Sequence, residues 1–222
     1  MSANIPTRRG SVILYAALAA VFCLAGRAGA ETETRTTEPF TAVSFGGSWS
    51  IEVTVGKENS VTIEGSKSAL ARVKTEVVDG ELRIGLEHSG FSLFGGNHDT
   101  DGLVAHVTVP KLTAFALQGS GDAKIVGLDG GAATLALSGS GDLKAKGRLD
   151  VLTLVVNGSG DADLKDLVAT KATATVNGSG DATVHPTESL AVIVNGSGQV
   201  TYVGEGTKVT SVVHGSGTVE KQ

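Results

Sequence analysis

The tripeptide Gly-Ser-Gly starts at Gly119, Gly139, Gly158, Gly178, Gly196 and Gly215, at intervals of 20, 19, 20, 18 and 19 residues. A period held over six copies marks a repeat architecture, in which each unit buries its apolar side against its neighbours. Aligning the copies on their first Gly shows what that unit is. Two positions earlier stand Leu117, Leu137, Val156, Val176, Val194 and Val213, and four positions earlier Phe115, Leu135, Leu154, Ala174, Val192 and Ser211. The positions between are a more mixed set: Ala116, Ala136, Val155, Thr175, Ile193 and Val212. After the tripeptide, Ala123, Leu143, Ala162, Ala182, Val200 and Val219 share one side, and Lys124, Lys144, Asp163, Thr183 and Thr201 the other. Alternation with period two on both flanks of a fixed Gly turn is the pattern of β-strands with one buried face.

A unit of ~19 residues is too short for a propeller blade or a helical repeat, so stacked coils with parallel pairing are what remains. The fold class expected is all-β: a right-handed parallel β-helix or β-solenoid, its hand following the general rule for crossovers. Gly fits at the corner because the chain must bend there in every coil and adjacent backbones approach closely. Just before the corner come Gln118, Ser138, Asn157, Asn177, Asn195 and His214, whose side chains are placed to form a ladder along the stack. The three Asn-Gly-Ser triplets also match a glycosylation sequon, but the turn accounts for them.

The N-terminal part departs from the repeat. Thr41 to Trp49 reads as a degenerate first coil, with Trp49 where later coils have their second Gly. Ile51–Val55 and Val61–Glu64 read as strands, Ser66 as the N-cap of one short helix, and Asp79-Gly80 as a hairpin turn. This segment is expected to cap the solenoid with antiparallel strands. His88 to Gly102 is the one long loop, and it carries Phe91 and Phe94.

Residues 1–30 have the pattern of a secretory signal peptide: Arg8-Arg9, an apolar run from Ser11 to Leu24, then Ala28-Gly29-Ala30 before Glu31. Residues 31–38 are expected to be a short linker, and 39–222 a single solenoid domain, with 39–118 its N-terminal part and cap and 119–222 the Gly-Ser-Gly coils. Cleavage after Ala30 would leave 15 basic against 23 acidic residues, a net charge of −8. Such a surface repels phosphate backbones, so nucleic acid is not an expected partner. Cys23 would leave with the signal, which excludes disulfides, thiolate metal sites and cysteine nucleophiles.

Asn-Gly-Ser-Gly-Asp-Ala, repeated after short apolar strands and preceded by Val109-Pro110-Lys111-Leu112, resembles the bacterial family described as the head GIN domain of putative auto-transporter adhesins. The resemblance runs from about Phe40 to Val219. It implies an exported β-helical domain of unknown biochemical function, with adhesion suggested by analogy, and it carries no catalytic residue to this chain. The sequence ends at Gln222, just after the last coil, so a translocating barrel is not expected.

Asp122, Asp142, Asp161 and Asp181 follow the turn, one per coil. Stacked in register, their carboxylates would form a column about 4.8 Å apart. The plain reading is that each accepts hydrogen bonds from turn amides and hydroxyls. The functional reading is a cation column, with Ca²⁺ as the candidate ion. His88, His98, Asp99 and Asp101 sit in the long loop with no metal-ligand spacing, and Phe91 and Phe94 there are candidates for contact with a partner. His106, His185 and His214 are dispersed.

Enzyme signatures are missing: no nucleophile elbow, Walker loop or dinucleotide fingerprint is present. The function expected is therefore a non-enzymatic, exported surface or envelope-associated binding module, located in the periplasm, on the outer surface or secreted. Its ligand class stays open between glycan and protein. The alternatives are a scaffold or homo-oligomer assembled through an open last coil, and a polysaccharide-active β-helix enzyme, which the scarcity of aromatic residues disfavours.

Overall fold

The computed structural model describes residues 30–86 and 102–222. The signal-peptide reading of the first 30 residues, and Phe91, Phe94, His88, His98, Asp99 and Asp101, therefore fall outside the described residues, Ala30 excepted. The N-terminal elements are β1 (Glu31–Arg35), β2 (Ala42–Gly47), β3 (Ser50–Val55), β4 (Ser60–Gly65), α1 (Lys67–Leu70), β5 (Val73–Val78), β6 (Glu81–Leu86) and β7 (Val104–Val109). The coils follow as β8 (Ala114–Gly119), β9 (Ala123–Asp129), β10 (Ala132–Gly139), β11 (Leu143–Gly158), β12 (Ala162–Gly178), β13 (Ala182–Gly196), β14 (Gln199–Tyr202), β15 (Lys208–Gly215) and β16 (Thr218–Lys221).

The fold is the expected all-β solenoid with one short helix. Coil stacks on coil with parallel pairing, and the alignment on the first Gly is the physical register. Leu135 pairs with Phe115 on one side and Leu154 on the other, and Gly139 with Gly119 and Gly158. After the corner, Leu143 lies between Ala123 and Ala162. Equivalent apolar side chains therefore stack along the axis. Leu117, Leu137, Val156, Val176 and Val194 are all fully buried, and Val213 in the last coil is 39% exposed.

The Gly corner is satisfied from one coil to the next. The Gly139 carbonyl accepts from the N–H groups of Ser159 and Gly160, both at 3.0 Å, and the Gly158 carbonyl accepts from Ser179 and Gly180. Gly139 holds φ at +133°, and a Cβ there would press into the Gly119 carbonyl of the coil below. Left-handed backbone and backbone-to-backbone contact together leave room for glycine alone.

Two features of the N-terminal part differ from the linear reading. Stacking order is not sequence order: β6 and β7 pair parallel with β2 and β3, forming a coil outside the one read as first. Consequently β7 separates β3 from β4, and β4 joins β7 antiparallel. The segment 31–38, expected as a linker, begins instead with strand β1, paired antiparallel with β4 from Glu31↔Gly65 to Arg35↔Val61. The free edge of β4 supplies the backbone partners. Arg35 locks the end of the strand, its Nη2 donating to the Leu70 carbonyl at 3.0 Å and pairing with Glu33 at 2.9 Å.

The other local readings hold. Asp79 and Gly80, both at positive φ, turn β5 into β6, and the Ser66 side chain accepts from the Ala69 N–H at the start of α1. Phe45 and Trp49 meet edge to face at 4.6 Å inside the coil of β2 and β3. Both rings are buried, giving the glycine-poor end of the stack the apolar bulk that its degenerate corner permits.

Candidate functional site

In a solenoid every outward position recurs once per coil, so surface chemistry comes in columns. Two columns flank the Gly corner, and an uncharged face takes in the second of them.

The first is the aspartate column. Pairing of Leu143 with Ala123 and Ala162 brings Asp122, Asp142, Asp161 and Asp181 into line just past the corner. Three of the four carboxylates are spent on the stack itself. Asp122 accepts from the Asp142 N–H at 3.1 Å, Asp161 from the Asp181 N–H at 2.9 Å, and Asp181 from the Gln199 N–H at 2.8 Å. An anionic acceptor on the next coil's amide makes a charge-assisted bond and faces water with its other oxygen. That offsets the repulsion between neighbouring carboxylates. Among the described residues, no group of three or more His, Cys, Asp or Glu side chains is placed to hold a metal ion.

The second is the amide column on the other side of the corner. Asn177 Nδ2 donates to Asn157 Oδ1 at 2.8 Å, and Asn195 Nδ2 donates to Asn177 Oδ1 at 2.7 Å. The Asn177 amide, donating to one neighbour and accepting from the other, is thereby fixed in orientation.

The third feature was not singled out from the sequence. The outer face of the sheet made by β2, β8, β10, the second half of β11, of β12 and of β13, and β15 carries no Asp, Glu, Lys or Arg at its three central rows. One row is the amide column. The middle row runs Ala116, Ala136, Val155, Thr175, Ile193, Val212, and the third Ala114, Thr134, Thr153, Thr173, Ala191, Thr210. Ile193 and Val212 are adjacent, 41% and 46% exposed. The signal was present in the aligned sequence, as the mixed set between the buried positions. In a linear sequence, uncharged residues between apolar ones read as weak core rather than as surface.

The outer face of the other sheet is the opposite. Glu52 lies 3.4 Å from Lys124 and 3.4 Å from His106, Lys165 pairs with Asp163 at 3.2 Å, and Lys146 with Asp166 at 2.7 Å. The hydrogen bond and charge of Lys146 hold the Asp166 carboxyl below its ordinary range, and Asp166 in turn raises Lys146. At the N-terminal end of the uncharged face, Gly46 and Gly85 open a shallow depression beside Arg83, Lys74 and Glu76. Arg83 is committed to Glu81 at 2.8 Å, which raises its pKa. No helix among the described residues is long and apolar enough to cross a membrane.

No curated protein is significantly similar to this chain. Among solved structures, its fold is similar to that of a putative adhesin from Bacteroides fragilis NCTC 9343, with a TM-score of 0.69 at 22% identity over 88% of this chain and 98% of that one. It is also similar to a putative lipid binding protein from Parabacteroides distasonis ATCC 8503 and to a putative adhesin from Parabacteroides merdae ATCC 43184. Each has a TM-score of 0.54 at 20% identity, over 89% of this chain and 98% of the other. At these identities the likeness is one of fold. The repeat itself is more specific: residues 39–206 match the family described as "Putative auto-transporter adhesin, head GIN domain", and the chain belongs to that family.

Proposed function

We propose that the protein is an exported, non-enzymatic binding module of the adhesin type, acting at the cell envelope or surface through the uncharged face of its solenoid. The observation that carries this is the segregation of charge. A chain with 18 basic and 23 acidic residues leaves three adjoining rows without any of them across the seven strands from β2 to β15, before β6 brings in Glu81 and Arg83, while the opposite sheet is laced with ion pairs. Solvated strands ordinarily spend such positions on charge, and interface cores are depleted of it. The rows are rigid because hydrogen-bonded coils set their spacing, so little side-chain order has to be imposed on binding. Asp122, Asp161 and Asp181 are engaged with backbone amides, which favours a structural column over a catalytic pair or a calcium site. The family described above supports the adhesive reading.

The test is capture of native envelope material by immobilised protein. Wild type retains a specific partner, and Thr175→Lys, in the middle of the face, loses it. Lys144→Glu, on the charged face, keeps it. Equal capture by wild type and Thr175→Lys would overturn the assignment of the face.

A further inference from the structure

We infer that the partner of this uncharged face is the same face on a second copy of the chain, so that the adhesion is homotypic. The inference rests on the reading of that face as the contact surface and adds the identity of its occupant.

Three properties of the face select a second copy. The first is lattice match. Its rows repeat at the coil spacing, about 4.8 Å, and two copies share that spacing by construction, whereas another partner would match it only by coincidence. The second is charge. The molecule is acidic overall, so two copies repel when charged surfaces meet; the three central rows, from Ala42, Ser44 and Gly46 to Thr210, Val212 and His214, carry no Asp, Glu, Lys or Arg. Their hydroxyls and amides are donors and acceptors at once, so a self-paired face leaves no row of like groups opposed.

The third is area. Seven strands side by side span roughly 34 Å, and six residues of strand roughly 20 Å, giving about 680 Å² per copy and about 1,360 Å² for the pair, within the range of specific interfaces. The small residues of the rows, Ala116 and Ala136 among them, let two sheets approach to the ~10 Å of face-to-face packing. An isologous two-fold axis through the face falls near its central strand, the second half of β11, and sets Val155 close to Val155 of its mate.

Sedimentation of the mature protein, recovered after export of the full chain, tests this. The expected result is a concentration-dependent dimer. Val155→Lys weakens it by on the order of tenfold or more, because two lysines are brought together. Mixing Val155→Lys with Val155→Glu restores association as a heterodimer, which a merely misfolded variant could not do. Thr175→Lys serves as the second variant should Val155→Lys not fold.

A wild type that stays monomeric overturns the inference. So does a dimer indifferent to both lysines, or one broken only by Val213→Lys in the last coil, which would indicate end-to-end assembly. Envelope capture separates the two levels. A monomeric protein whose capture is still abolished by Thr175→Lys keeps the face as the site but gives it another occupant, whereas unchanged capture removes the face itself.

Discussion

Each coil passes through the Gly-Ser-Gly corner and a far side, and the two behave differently. At the Gly-Ser-Gly corner the register never slips: the residue four positions past the first Gly pairs with its equivalent in the next coil throughout, giving the stack Ala123, Leu143, Ala162, Ala182, Val200 and Val219. On the far side the register shifts between Lys144 and Gly147, between Asp163 and Val168, and between Ala169 and Lys171. The intervals of 18 to 20 residues are therefore variation of the far side alone. At the corner, backbone packs on backbone in every coil and admits no extra atom, whereas the far side, with such contacts at Gly127, Gly147 and Gly204, can lengthen by a residue between them at small cost in loop entropy.

That contrast can be broken most directly at the rigid corner. Gly139→Ala adds a Cβ at positive φ against the Gly119 carbonyl, and thermal unfolding should show a loss of roughly 3 kcal/mol or more from left-handed strain and overpacking together. A loss below about 1 kcal/mol would mean that the corners can spread apart. Next in size is the core that the corner aligns. Leu154→Ala, fully buried between Leu135 and Ala174, should cost about 2–5 kcal/mol in denaturant unfolding. Val213→Ala, in the exposed last coil, should cost under ~1 kcal/mol. Equal losses would show that the last coil is covered in solution.

Smaller still is the amide ladder. Asn177→Ala removes one bond from each neighbour, and a loss of about 1 kcal/mol is expected in the same experiment. On the permissive side, a glycine inserted after Glu205 should leave the unfolding midpoint within about 0.5 kcal/mol of wild type. A large loss there would place the far side under the same constraint as the corner. The smallest effect belongs to the exposed pair of Lys146 and Asp166. The carboxyl is depressed in the folded chain, so its contribution is present above the ordinary carboxylate range and fades as pH falls through the folded value. Asp166→Asn should remove only that acid-side slope from a titration of stability, and added salt should flatten it as well.

Much of this molecule is written in one dimension. Buried positions, corner glycines, the asparagine ladder, the Ser66 cap and the Asp79-Gly80 turn were all legible, because each depends on local period or local backbone geometry. The aspartates were legible as a column of acceptors for turn amides, but not as acceptors for the amides of the next coil, since that needs the offset between coils. The uncharged face lay in the alignment yet had no meaning until the two sheets were separated and one proved to carry the ion pairs.

The sequence by itself determined that this chain winds into stacked coils, because a fixed small-residue corner and a period-two apolar pattern leave no other way to bury its side chains. Only the tertiary structure decided that the β6–β7 coil lies outside the first one read, that Glu31–Arg35 joins the sheet, and that the far side absorbs every change in length. Those outcomes depend on which strand edges are free to pair and where backbone has room. Both are properties of the assembled stack and not of any single repeat.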